Sequence, residues 1–245
     1  MLKNKKILIS ASTLFTIVEI ILSIMIQKAE GDVNRYASYL SVCIACLFAV
    51  FFIENTWKYK TTQLALIMTV LADYFLVIMD ELQQFPAMIF FSVAQLAYFN
   101  RILLASDSRL ERMCHLVVRC GAVIFTLALT LTVLGRKADA VSIVSMFYFA
   151  NLVTNIIFSF VQFKKNFLLA IGLLLFACCD ILVGFSCIEA YIELTPGTFA
   201  HKLAHPGGNF AWMFYVPSQT LIALSLIPDR LRKIKSYKSA IEASH

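Results

Sequence analysis

LALIMTVLADYFLVIMDELQQFPAMIFFSVAQLAYFNRILLA, Leu64 to Ala105, is the stretch whose reading decides the fold. Two apolar runs flank a short acidic turn, Asp80–Pro86, so the segment reads as a helical hairpin crossing a lipid bilayer twice. Asp73 sits inside the first run, Leu64–Met79, too far from either end for its short side chain to reach bulk water. A charge at that depth costs about 2.5–3.5 kcal/mol on the insertion scale, which makes it a functional-site candidate by default. The returning run carries Gln95 and Tyr98, and a second carboxylate in a similar setting, Asp180, follows one half-chain later.

The composition agrees with a bilayer setting. Of 245 residues 60% are hydrophobic and 15% charged, and the mean hydropathy is +0.79. A soluble domain is nearer half apolar and a quarter charged, so a multi-pass membrane protein is expected. The net charge of +6 does not point to nucleic acid, because the basic residues lie in short clusters at helix ends, as topology requires. Met1-Leu-Lys-Asn-Lys-Lys6 precedes an apolar run as in a signal peptide. Glu19 interrupts that run and no small-residue cleavage site follows, so it reads as a retained first helix.

A span needs about 20 mostly apolar residues. Eight windows qualify, at roughly 7–26, 36–53, 62–79, 87–104, 114–134, 140–162, 167–187 and 209–227, which makes residues 1–245 one membrane-embedded, all-α domain. With the N-terminus inside, fifteen Lys and Arg fall on inner segments against five on outer loops. The inner set is Lys3, Lys5, Lys6, Lys58, Lys60, Arg101, Arg109, Arg112, Lys164, Lys165 and five in the tail, Arg230 to Lys238. Both termini are therefore expected in the cytoplasm. Arg119, inside the fifth span, is expected to snorkel toward the inner surface.

Asp73-Tyr-Phe-Leu-Val in span three is echoed by Asp180-Ile-Leu-Val in span seven, and each is followed by a returning helix with Tyr and Gln. The pattern suggests two four-helix halves in the same orientation, a parallel repeat. The rise of 1.5 Å per residue puts Asp73, Asp180 and Glu19 about 10 Å below the outer surface. Gln95 falls at about 12 Å, Tyr215 at about 9 Å, Gln219 at about 15 Å and Asn151 at about 17 Å. These side chains are expected to line one cavity in the outer half of the bundle. Asn151 and Asn155 suit interhelical hydrogen bonding equally well, and Glu19 suits a structural pair.

The remaining motifs carry less chemistry. Seven cysteines fall mostly in apolar runs, and Cys43-Ile-Ala-Cys46 reads as packing rather than a redox pair. His201-Lys-Leu-Ala-His205 has the i, i+4 spacing of a zinc pair but lacks the glutamate of a protease motif and ends at Pro206, so it reads as a surface turn. No metal site and no cofactor are expected, and no phosphate loop or Gly-x-Ser-x-Gly elbow occurs.

The spacing resembles the YhhN-like family of integral membrane proteins, which includes the lysoplasmalogenases. Ala72-Asp73-Tyr-Phe-Leu is similar to that family's span-three motif, with Ala72 in place of a glycine. Phe90-Phe91-Ser-Val-Ala-Gln95-Leu-Ala-Tyr98 resembles its returning helix, with Gln95 where the family has a histidine. Phe176-Ala-Cys-Cys179-Asp180-Ile-Leu-Val183 is similar to its span-seven motif, with Cys179 for a serine, and Tyr215-Val-Pro-Ser-Gln219 matches its last helix. The resemblance implies eight spans in a bacterial plasma membrane and a substrate that is a small amphiphile from the membrane lipid. The implied activity is hydrolysis of a lysoplasmalogen vinyl ether, with Asp73 and Asp180 as an acid beside a base. Glu19, Gln95, Tyr98, Asn151, Tyr215 and Gln219 are the candidates for binding substrate or water. Gln95 cannot shuttle protons, since an amide does not titrate near neutrality. The competing expectation is a proton- or cation-coupled transporter or lipid-binding protein with the aspartates at a repeat interface.

Overall fold

The structure is a computed structural model that describes residues 5–52, 57–81, 83–205 and 209–227. Among the described residues the chain is all-helical, with no strand. The helices are α1 (Lys5–Lys28), α2 (Gly31–Phe52), α3 (Trp57–Asp73, continuing as a π-helical turn Tyr74–Ile78), α4 (Gln84–Ala105), α5 (Arg109–Leu134), α6 (Ala140–Val161), α7 (Phe163–Ile188), the short α8 (Phe199–Ala204) and α9 (Phe210–Leu224).

The breaks follow local chemistry. Gly31 turns the chain between α1 and α2 at φ 56°, a conformation open to glycine without strain. Pro86 occupies the first turn of α4, where its missing N–H removes no helical bond. Ser108 caps α5 by accepting from the Glu111 N–H at 3.0 Å. Asp139 and Ser142 form a capping box at the start of α6, and the Ser142 N–H holds the Asp139 carboxyl below its ordinary range. The polar first turn of α5 lies outside the hydropathy window, which is why α5 begins about one turn earlier than the expected span; in α7 the chain kinks at Asn166 (φ −127°), so its regular part begins where the expected span does.

Among the described residues, seven helices are long and apolar enough to cross a bilayer. The eighth expected span, 209–227, contains α9, an apolar helix of only 15 residues. It is about 22 Å long and carries Pro217 in its interior. The surface of the bundle is that of a protein in lipid: Phe51, Leu110, Ile124 and Phe125 are each more than two-thirds exposed. The polar residues are instead turned inward, among them Glu19, Asp73, Gln95, Asn155 and Gln219.

The neighbours of the helices repeat. Within the first half α1 lies on α2, α2 on α3 and α3 on α4; in the second, α5 lies on α6, α6 on α7 and α7 on α9. The two halves join through the matching pairs α4 against α6 and α9 against α2, while α9 also lies on α1 without an equally close α4–α5 contact. The internal echo of the sequence therefore has a counterpart in the packing. At one point the α7–α9 seam is very close: a Cβ on Gly172 would stand 2.7 Å from Ile222 Cγ1 and 3.1 Å from the Ser218 carbonyl oxygen.

Two cations are placed differently from expectation. Arg101, counted above with the inner charges, is fully buried and donates to the Thr62 hydroxyl at 3.2 Å and to Ser225 Oγ at 2.6 Å. Arg119 does not snorkel. Its guanidinium is buried, donates to Asn155 Oδ1 at 3.0 Å and stacks 3.9 Å over the Phe99 ring. The inward acceptor and the aromatic face offer it more than the inner surface does. Lys3, the basic residues from Arg230 to Lys238 and the Pro206-Gly207-Gly208 turn lie outside the described residues.

Candidate functional site

Asp73 ends the regular part of α3. The backbone then widens into the π-helical turn Tyr74–Ile78, a feature that in helices often marks functional positions. Arg35 of α2 secures that turn by donating to the carbonyls of Val77 and Ile78. It also pairs with Asp80 at 3.3 Å. Asp73, only 3% exposed, accepts a hydrogen bond from the Tyr215 hydroxyl of α9 at 2.6 Å. Asp180 lies on α7, half-buried, and accepts from the Tyr148 hydroxyl of α6. Each carboxylate thus has a tyrosine on a different helix as its donor.

The two pairs belong to one cluster. Asp73 and Asp180 lie within electrostatic reach of each other, and Tyr148 within reach of both. Phe176, one turn before Asp180, sits between the tyrosines, with its ring centroid 5.3 Å from that of Tyr215 and 6.4 Å from that of Tyr148. Phe91 of α4 closes the other side, 5.4 Å from Tyr148. Cys179 and, from α2, Tyr39 and Cys43 also lie in the field of Asp73. The cluster is therefore built from six helices, α2, α3, α4, α6, α7 and α9, two carboxyls in a shell of aromatic rings and thiols. Two grooves on the bundle, of about 280 Å³ beside Thr16 and Leu224 and about 320 Å³ beside Glu30 and Asn209, lie away from it.

The other expected site residues divide into three groups. Tyr215 is in the cluster. Gln219 lies one turn further along α9, with both amide atoms buried and without a hydrogen-bond partner among the described residues. Asp73–Tyr215 at one end of the α3–α9 seam and Thr62–Arg101–Ser225 at the other fix an antiparallel register that sets Gln219 level with Thr69. Tyr98 is fully buried on α4, and its hydroxyl has no hydrogen-bond partner among the described residues. Gln95, Glu19 and Asn151 are engaged elsewhere. Asn155 Nδ2 donates to both the side-chain and the backbone oxygen of Gln95, at 2.9 and 2.8 Å, which ties Gln95 into the network that holds Arg119. Glu19 accepts from Ser41 at 2.5 Å in the α1–α2 seam, and Asn151 donates to the Phe147 carbonyl of its own helix at 2.6 Å. Asn155 is thus interhelical glue, one of the two roles its sequence setting allowed.

The YhhN family profile matches residues 33–226, well over half of the chain. The chain belongs to the YhhN family. No curated protein and no solved structure gives a match. The matched segment contains Asp73, Tyr148, Asp180 and Tyr215, and leaves Glu19 outside. Family membership and the apolar helices together establish a membrane protein.

Tyr148 and Tyr39 are the members of the cluster that the sequence does not single out, and of the two Tyr148 bonds a carboxylate directly. A signal was present: it lies eight residues from the start of α6, hence about 12 Å along the helix, close to the depth expected for the aspartates.

Proposed function

We propose that this YhhN-family protein is an intramembrane hydrolase of a single-chain ether lipid such as a lysoplasmalogen. The observation that carries the reading is the clustering of two carboxyls inside the bundle, Asp73 buried and Asp180 half-buried, each oriented by a tyrosine hydroxyl. Vinyl ether hydrolysis needs what such a pair can supply. One carboxyl protonates the outer alkenyl carbon, leaving an oxocarbenium ion on the carbon bound to oxygen. The other carboxylate takes a proton from water as the water oxygen bonds to that carbon. The hemiacetal so formed loses the glycerophospho alcohol and becomes an aldehyde; one water is consumed. The tyrosines are positioning groups, since each donates to one carboxylate oxygen and leaves the other oxygen free to exchange a proton. Gln219, buried and with no protein partner for its amide, is the group best placed to bind water or the polar end of the substrate.

A specific observation favours the non-enzymatic reading, in which the same carboxyls bind a proton, a cation or a lipid without turnover. Gln95 stands where the resemblance puts a histidine, and its side-chain oxygen is committed to Asn155. Purified protein offered a panel of single-chain lipids, lysoplasmalogen included, decides between the two. Aldehyde release with the vinyl ether lipid and none with its saturated ether analogue is the expected result; no turnover of any lipid would move the assignment to binding or transport.

The same reading takes α9 as an eighth crossing and places both termini in the cytoplasm of a bacterial plasma membrane. A protease-sensitive tag inserted at Ile192, between α7 and α8, is expected to be cut from outside intact cells, and one at Lys238 only after lysis. The reverse pattern would invert the topology.

A further inference from the structure

The connection from α7 to α9 brings together three side chains that the sequence keeps far apart. His201 and His205 lie one turn apart on α8, their ring centroids 4.7 Å from each other. Glu189, the residue that caps α7, reaches the same point: its Oε2 is 3.4 Å from His205 Nε2. One donor atom from each of the three lies within 4.8 Å of the other two. From sequence the histidine pair lacks a third ligand, and Glu189 supplies it.

The geometry points to a zinc site, with Glu189, His201 and His205 as three protein ligands and water at the fourth position. Two imidazoles and one carboxylate are a donor set that zinc takes in tetrahedral geometry. Bonds of about 2.1 Å place tetrahedral ligand atoms about 3.4 Å apart, the separation already present between Glu189 and His205. The tautomer of His205 also suits the role. Its Nδ1 lies 3.1 Å from the His201 carbonyl oxygen; a carbonyl only accepts, so Nδ1 carries the proton and Nε2 presents its lone pair to the metal. The scaffold is anchored: Thr198 caps α8 through the His201 N–H at 3.3 Å, and Ala204 is buried beneath it. Glu189 is partly buried and His205 exposed, so the cluster has a wet side for the fourth ligand. Nine residues of α7 separate Glu189 from Asp180, about 13 Å along the helix, so the site is separate from the carboxylate pair and does not depend on its assignment. Zinc there would staple the outer connection to the end of the helix that carries Asp180.

The test uses the full chain in detergent, stripped with chelator and titrated with zinc chloride against a competing indicator. One zinc per chain at micromolar or lower concentration is expected, with a rise in melting temperature on zinc addition. Glu189→Gln, His201→Gln and His205→Gln should each weaken binding beyond the roughly 10–100-fold that follows loss of a mere outer partner of a metal ligand, and should abolish the thermal shift. Cobalt substituted for zinc should give the intense visible absorption of a tetrahedral site. Cys187→Ser and Lys202→Ala, neighbours in the same region, should leave affinity and shift unchanged. Binding only at millimolar zinc, or stoichiometric binding that survives all three ligand substitutions, would overturn the site and leave Glu189–His205 as an ion pair only.

Discussion

Asp73→Asn and Asp180→Asn are each expected to lower lysoplasmalogen turnover by roughly 10²–10⁴-fold, the range of acid–base catalysis by a positioned side chain. The amide keeps the shape of the carboxyl and can still accept from Tyr215 or Tyr148, so the bundle should remain folded and its melting temperature should change little. What the amide loses is the exchangeable proton. Because one group gives a proton while the other takes one, removing either disables the step, and the double substitution should be scarcely worse than a single one. Tyr215→Phe and Tyr148→Phe should cost less, since each frees a carboxylate without removing it. Equal activity in wild type and either Asp→Asn protein would refute the catalytic assignment. Additive losses would mean that the two carboxyls act at separate places, and the electrostatic contact between them would then be incidental.

What could be read in advance follows from how sharply lipid penalises each kind of residue. Asp73 and Asp180 stand out because an ionisable group in an apolar run has few tolerable environments. Tyr148 does not, because a tyrosine is amphipathic and at home near membrane interfaces; only its depth connects it with Asp180. The π-helical turn after Asp73 leaves no mark in the hydrophobic pattern, which stays apolar through Tyr74–Ile78. For Arg119 the sequence gives the depth but not the direction. The choice between inner surface and bundle interior depends on Asn155 and Phe99 facing it from two other helices. Glu189 escapes for a similar reason, since eleven residues, mostly loop and turn, intervene before His201. The hydropathy of 209–227 registers as a full span, whereas the helix within it stops at Leu224. Composition is additive along the chain; helix length and side-chain direction are not.

The same limit applies to Gly172, one glycine in a long apolar run, whose importance appears only when α9 is laid against it. Gly172→Ala is expected to destabilise the bundle by about 1–3 kcal/mol, the usual penalty of overpacking, and Gly172→Val by more. The new Cβ would meet Ile222 Cγ1 at 2.7 Å, and behind it two backbone atoms of α9, Ser218 O at 3.1 Å and Ile222 N at 3.2 Å. Ile222 is fully buried and branched at Cβ, so it has little room to rotate away. The relief open to the protein is to push α9 off α7, and close helix approach through a small residue is what holds such seams together where no hydrophobic effect draws helices together. That movement reaches the site, because Tyr215 rides on α9 while Asp73 is fixed to α3. Gly172→Ala should therefore lower both the melting temperature and, through a lengthened Tyr215–Asp73 bond, the turnover, although it touches neither carboxyl. Ile222→Ala removes Cγ1 and should restore the turnover of the Gly172→Ala protein, though not its melting temperature, because it empties a buried position; Ile222→Val keeps Cγ1 and should restore neither. A Gly172→Ala protein as stable as wild type would mean that α7 and α9 can separate at no cost, and that their seam does not set the geometry of the aspartate pair.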